Sequence, residues 1–478
     1  MTSSADVLVV RLQPASMALA WTLMLIARVI CTAFLVAMAG LLRLLDHPFM
    51  VYYAELLRPG IRPLLTPAAS LYALLALAHT YQVVMMLIHS VRARQLVMHS
   101  VGATVVPANT DDRVNSQAVR VTKRLWLKLF SRSGFFGVES SYFEARYIIR
   151  ELIEIGSQSV QAYTSSYLIS KRWINNLYVF FVVLNCWSTP LIQRFTAHTP
   201  ALDRLLCLAV DTVLDSGTAL LLPVVLIVPY ARAFNPAFFS FETNLLYDDV
   251  WFVNLIMENR QIVPISASDL LLKIVPHVSI YFSLNSIRAI VRPRTTRSGP
   301  SRAILNAVPP SIVPAAAAAP HVPSATPMRA TSGQQRLQHS KTAAQRIRAT
   351  LQHRVHGRRT HLLHAVFALW GLGVLLAHVV AISRHHSNVH GEVSGCKQQV
   401  RPWFVSETAC LIYEFHCYRR GIQSMSATTD ALAFLRHDSL TALIVAHCPA
   451  LTVSPSDPAV PQPVWHGDLQ LDAHALGQ

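Results

Sequence analysis

The sequence predicts a mainly α-helical, polytopic transmembrane bundle of six or seven spans, with a small cysteine-bearing outer module at its C-terminal end. Three observations lead there. Apolar residues make up 52% of the 478 and charged ones 14%, where soluble proteins carry about 25% charged. Several apolar runs reach the roughly 20 residues that a spanning helix needs. The net charge is nonetheless +16, from 41 Lys and Arg against 25 Asp and Glu. An oily chain with a large basic excess does not fit an ordinary soluble fold, and 14% charge is too low for general disorder.

Five stretches read as spans without strain: Met17 to Leu42, interrupted only by Arg28; Pro67 to Val91; Trp173 to Gln193; Leu205 to Tyr230; and His361 to Ser383. A sixth, Leu270 to Val291, is weaker, because Lys273, His277 and Arg288 interrupt it. The first run is too long for the core of a cleavable leader and lacks a basic segment just before it, so it is expected to remain as the first span.

Basic residues favour the cytoplasmic side of a membrane and so set orientation. Twelve Lys and Arg lie between Arg292 and Arg359, and no Asp or Glu occurs from Leu270 to Gly391. Seven more basic residues lie between Arg92 and Lys128, against Asp111 and Asp112 alone. Both segments are expected inside. The stretch Arg232 to Asp269 carries Glu242, Asp248, Asp249, Glu258 and Asp269 against Arg232 and Arg260, and is expected outside. Six spans put the two basic segments on opposite sides. A crossing at Phe143 to Ser170 repairs this, although it carries Glu144, Arg146, Arg150, Glu151 and Glu154. Each charge costs about 2.5–3.5 kcal/mol inside a bilayer, which pairing Arg150 with Glu154 at i,i+4 lowers. The other reading is an amphipathic helix on the membrane surface. The crossing gives seven spans, the N-terminus inside and the C-terminus outside, and leaves Lys171 and Arg172 in an outer turn.

The resulting organisation is a helical region over 1–291 with a basic inner loop near 92–128, a disordered basic Ala/Pro-rich inner linker over 292–360, a last span over 361–383, and an outer tail over 384–478. The linker lacks the large apolar residues a core requires. Its charge has no interleaved aromatics, which argues against nucleic acid. Cys31, Cys186 and Cys207 fall in spans and read as packing residues. Cys396, Cys410, Cys417 and Cys448 fall in the tail, where an oxidising exterior favours one or two disulfides of unassigned pairing. A zinc site is the alternative, with His416 beside Cys417, at a spacing that fits no zinc pattern well. The pattern Leu440-x-x-Leu443-x-Val445-x-x-Cys448-x-x-Leu451 matches a single leucine-rich repeat near 440–451, where a stable array needs about three or more.

The blocks GFFGVESSYFEARYIIRELIE, FVVLNCWSTPLI, NLLYDDVWFVN, WGLGVLLAH and CKQQVRPWFVSETACLIYEFHCYRRG resemble the oomycete multi-pass membrane proteins called WLGC-domain proteins, from about Phe135 to Leu451 with a gap over the Ala/Pro linker. The resemblance implies a membrane region followed by an outward array of leucine-rich repeats, and no catalytic residues. This chain departs from the pattern in having almost no array.

Asp211 and Asp215 lie one helical turn apart and share a face. They are expected about 9 and 15 Å into a span that starts near Leu205, at roughly 1.5 Å per residue. Ionisable residues at such depth point to function, and pairing with Arg150 or Arg146 would also explain how the charged helix tolerates a bilayer. The candidate network is therefore Asp211, Asp215, Arg146, Arg150, Glu151 and Glu154, read either as a proton or cation path or as a structural polar network. No Walker loop, HExxH, GxSxG or kinase motif occurs. His361 and His364 lie at one end of the last span and His385, His386 and His390 at the other, too far apart for one metal. The chain is expected to be a plasma-membrane protein, not an enzyme, without cofactor or metal. It is expected to present an outer module to a protein ligand in a recognition or scaffold role, with a transporter or channel as the alternative. Its partners are the lipid bilayer and that extracellular ligand, and no nucleic acid.

Overall fold

The computed structural model describes residues 10–96, 98, 134–135, 140, 143–196, 199–293, 362–384, 395–405, 409–421 and 440–447. Arg294–Val366 forms a unit apart from the rest, of which only 362–366, the first turn of the last helix, is described. The expected linker and the expected inner loop beyond residue 98 lie outside the described residues.

Helix α1 (Pro14–Leu45) starts with proline in its first turn, where the missing N–H costs nothing. Its buried residues Met24, Arg28, Cys31, Leu35, Met38, Leu42 and Leu45 recur every three or four positions. This seam packs on α3 (Arg62–Ala93), whose Leu65, Ala69, Tyr72, Ala76, His79 and Met86 are buried. The short α2 (Val51–Leu57) lies between them in the chain. The outward faces are apolar too: Leu19, Leu23, Leu74 and Leu77 are all more than half exposed.

Helices α4 (Phe143–Leu168), α5 (Arg172–Thr196), α6 (Pro200–Ser216), α7 (Leu222–Ala233), α8 (Thr243–Leu246), α9 (Asp249–Ile262) and α10 (Ala267–Ile290) follow. A single wider turn at Gly217–Leu221 joins α6 to α7. The last long helix is α11 (Leu362–Arg384). Among the described residues, five helices are long and apolar enough to cross a membrane: α1, α3, the continuous α6–α7, α10 and α11. Two of the expected spans rank differently here. The 173–193 stretch forms the full-length helix α5 but is not among the five, because Asn175, Asn176, Asn185 and Gln193 dilute it. The weaker-looking 270–291 stretch, in α10, is among them.

The path of the chain follows from its contacts. Strand β1 (Val10–Leu12) pairs in parallel with β4 (Val291–Pro293), so the start of α1 and the end of α10 share one end of the bundle. Tyr147 near the start of α4 reaches Thr189 late in α5 and Asp211 in α6 at that same end. At the opposite end, Lys171 in the α4–α5 turn pairs with Glu258 of α9 at 2.9 Å. Arg260 of α9 donates there to the carbonyls of Leu56 and Leu57. Helices α4 and α5 therefore traverse the bundle in opposite directions. In α11 the Ala368 carbonyl accepts from Trp187 and His378 bonds Asn176, so α11 runs antiparallel to α5.

Gly371 sets how closely α11 approaches α5. A Cβ there would lie 2.7 Å from Trp187 Nε1 and 2.9 Å from Cys186 Cβ. Gly371→Leu is expected to destabilise by more than the about 1–3 kcal/mol of ordinary overpacking, read as a lower melting temperature in detergent, whereas Gly373→Leu, at a position with open space, should melt near the wild type.

A short hairpin, β2 (Phe234–Asn235) with β3 (Ser240–Phe241), precedes α8. In the tail, β5 (Cys396–Val400) pairs antiparallel with β6 (Ala409–His416), and β7 (Ala442–Ala446) adds in parallel to β6. The four-residue α12 (Cys417–Arg420) follows β6. The sheet rests on the bundle: Val400, Ala409, Leu411 and Ile412 pack with Val253 and Met257 of α9. Gln398 Nε2 donates to Ser170 Oγ at 2.6 Å and to Asn254 Oδ1 at 2.7 Å, and the Trp403 amide donates to Ser166 Oγ at 3.2 Å.

Lys397 clamps the sheet, at 3.0 Å from Glu414 and 3.4 Å from Asp249. Its hydrogen bond holds the Glu414 carboxyl below the usual glutamate range. Burial acts to lower the Lys397 ammonium, and Glu414 and Asp249 outweigh it, so its pKa rises. A depressed carboxyl contributes stability above its unfolded pKa and loses it as pH falls through the folded one. A raised ammonium loses its contribution only as pH rises through its folded value. Protease resistance of the tail should therefore be flat between about pH 5 and 10 and drop below about pH 4. Lys397→Met should abolish the acid-side drop.

Candidate functional site

Four helices each aim polar side chains at one point. In α4, Tyr147, Arg150, Glu151, Glu154 and Gln158 recur at three- and four-residue steps and so share a face. Helix α5 offers Asn185 and Thr189, α6 offers Asp211 and Asp215, and α10 offers Ser279 and Ser283, each pair one turn apart. The outer face of α4 is apolar, with Ile149, Leu152, Ile153 and Val160 exposed. Arg150, Glu151 and Glu154 point inward.

At the centre Arg150 Nη2 donates to Asp211 Oδ2 at 2.8 Å, and the Tyr147 hydroxyl donates to the same oxygen at 3.0 Å. Arg150 Nη1 donates to Ser283 Oγ at 2.5 Å, and Arg150 Nε lies 3.8 Å from Glu154 Oε2. Ser279 Oγ donates to Glu154 Oε2 at 2.9 Å. Thr189 Oγ1 donates to Glu151 Oε1 at 2.7 Å. Gln158 Nε2 donates to Asp215 Oδ1 at 2.8 Å, while its carbonyl oxygen accepts from Asn185 Nδ2 at 3.0 Å. Glu154 and Asp215 are neighbours within the cluster. Glu151, Glu154, Asp211 and Asp215 are all buried, the last with no exposed surface.

The structure brings Asp211, Asp215, Arg150, Glu151 and Glu154 together. Of the two arginines, it is Arg150 that pairs with Asp211, while Arg146 lies over the Phe135 ring at 5.4 Å. Tyr147, Gln158, Asn185, Thr189, Ser279 and Ser283 escaped the sequence reading. Their signal was available: polar pairs at i,i+4 within largely apolar helices.

The charge within the cluster does not balance. Among the described residues, the ion pairs within the cluster run from Arg150, to Glu154 and Asp211, while Glu151 and Asp215 are held by neutral donors. Were all four ionised, three negative charges would stand in a region closed to water, which is strongly unfavourable without compensation. Glu154 Oε1, Asp211 Oδ1 and Asp215 Oδ2 are also buried without a hydrogen-bond donor. Such oxygens suit a bound proton or a small cation. Among the described residues no group of three His, Cys, Asp or Glu converges as a metal site.

The tail cysteines form a second feature. Cys396 and Cys410 are joined in a disulfide across β5 and β6, and Cys417 is disulfide-bonded as well. A disulfide sulfur is not a thiolate ligand, so these three do not form the alternative zinc site. Cys448 and Leu451 lie outside the described residues, as do His361, His385, His386 and His390. Leu440, Leu443 and Val445 pack against the disulfide face beside Tyr413 and Phe415. Cys31, Cys186 and Cys207 are buried free thiols. The chain matches no family model, no curated protein and no solved structure.

Proposed function

We propose that this is a seven-crossing plasma-membrane protein that moves protons, alone or coupled to a solute, through the carboxylate cluster of α4, α5, α6 and α10. The observation that carries this reading is the unbalanced set of four buried carboxyls around Arg150. Seven crossings follow from adding α4 and α5 to the five apolar helices. Both run through the bundle with polar residues inward and apolar residues such as Ile149, Ile153, Phe180 and Leu184 outward, which suits a helix that is solvated by its neighbours and faces lipid elsewhere. The basic segments then connect helix ends on the inner side. Lys171, at the outer turn, is neutralised by Glu258. In this topology Arg172→Cys is labelled by an impermeant thiol reagent from outside; labelling only from the cytoplasm contradicts seven crossings.

The functional test is reconstitution. Proteoliposomes holding an internal pH dye should acidify or alkalinise under an imposed potential, and Asp215→Asn should lower the rate at least about tenfold without changing the melting temperature by more than a few degrees. Wild-type rates equal to empty vesicles overturn the reading.

A second reading is favoured by the oxidised sheet: an outer module displayed for a protein ligand, in line with the resemblance to WLGC-domain proteins. The close seating of the sheet on α9 makes it a fixed cap on the bundle rather than a free module. Under this reading the Asp215→Asn variant leaves ligand capture intact.

A further inference from the structure

Two arginines lie buried in helices that hold almost no acid. Arg28 of α1 has no exposed surface, and Arg288 of α10 is 3% exposed. Helices α1 and α3 contain no Asp or Glu, and α10 contains only Asp269. Asp269 sits at the far end of α10, paired with Lys273 at 2.7 Å. The remaining partners are neutral. Arg28 Nη2 donates to Asn285 Oδ1 at 2.8 Å, and Arg288 Nη1 donates to Gln82 Oε1 at 2.5 Å. Asn285 and Arg288 lie three residues apart on α10, so the two guanidiniums reach about one helical turn from each other.

Tyr281 ties the group together. Its ring lies 5.9 Å from Arg28 Cζ and 5.2 Å from the His79 ring. Its hydroxyl accepts from Gln82 Nε2 at 3.3 Å. Around this hub, Arg28 Nε, Arg28 Nη1 and Arg288 Nε are buried donors without an acceptor, and His79 Nδ1 also lacks a partner. A buried, unpaired charge is strongly unfavourable, and two like charges side by side are worse. The orphan atoms of the two arginines are all donors, so the missing partner is an acceptor with negative charge.

We propose that Arg28 and Arg288, with His79 and Gln82, hold a phosphate group between α1, α3 and α10. Guanidinium donors suit the several oxygens of phosphate better than a point ion does. Arg288 is within one turn of the end of α10, a depth that a phospholipid headgroup reaches, and basic pockets between helices at that level are headgroup sites. A lipid phosphodiester and free inorganic phosphate are the two sources. The site shares no residue with the carboxylate cluster and stands independently of the proton reading.

The test is thermal stability of the purified full chain in a neutral detergent, stripped of lipid. Inorganic phosphate, titrated against chloride at equal ionic strength, or an anionic phospholipid mixed into the micelles, should raise the melting temperature saturably. Saturation by inorganic phosphate assigns a free anion; saturation by the phospholipid alone assigns a headgroup. In Arg28→Gln/Arg288→Gln the rise should vanish. Should that variant fail to fold, Arg288→Lys keeps the charge and should weaken half-saturation about tenfold. No saturable rise with either probe, or an equal rise in the variants, overturns the site.

Discussion

Arg150→Met is expected to lose about 3–5 kcal/mol, because Asp211 would keep its burial and lose its counter-charge. That is a large share of the stability of a typical domain, so little folded protein should be recovered in detergent. The variant also strips Ser283 and Glu154 of a partner. Arg150→Met with Asp211→Asn should recover most of the loss, since removing both members of a buried pair is often close to neutral. Size-exclusion profiles and melting temperatures of the two single variants and the double variant give the coupling directly. A single variant as stable as the wild type would show that Arg150 does not neutralise Asp211. The rescued double variant is also informative: it should fold but not conduct protons, which separates holding the bundle together from using it.

Cys410→Ser is expected to open the tail sheet and leave the helices intact. The Cys396–Cys410 disulfide closes a loop with a sequence separation of 14, and a loop of that size is worth about 3 kcal/mol. Beside the bond, β5 is held on β6 by the Lys397–Glu414 pair and by a ladder whose register shifts between Cys396 and Gln399. Protease added from the tail side should cut within 396–416 in the variant and spare the wild type under oxidising conditions. Equal resistance would mean that the seating on Val253 and Met257, together with the Lys397 clamp, suffices without the bond.

Much of the fold was legible because apolar length is a one-dimensional signal. α1, α3, α6–α7 and α11 stand out on hydropathy alone. The pairing of Asp211 with Arg150 was also accessible, because an acid deep in an apolar run needs a cation and α4 supplies one. The relative strength of α5 and α10 reads the other way round in the sequence: Lys273, His277 and Arg288 make α10 look weak although its mean hydropathy qualifies, whereas that of α5 does not. In α5, Asn175, Asn185 and Thr189 point into the bundle, so the average understates how apolar its outer face is. The same averaging made α4 resemble a surface helix. Arg28 stands out in the sequence only as a break in its span, since one arginine barely lowers the mean of so apolar a run; its burial near Arg288 gives it meaning. The seating of the tail sheet on α9 was out of reach, because it joins segments through side chains such as Gln398 and Asn254, 144 residues apart, that carry no periodic signal.

The proposed proton role of the cluster is tested most directly by difference infrared spectroscopy of the purified protein in lipid. The reading expects a carbonyl stretch of protonated carboxyl groups at neutral pH that shifts on exchange into heavy water and loses intensity in Asp215→Asn and Glu154→Gln. A spectrum with no protonated carboxyl band, or one unchanged in both variants, would contradict it.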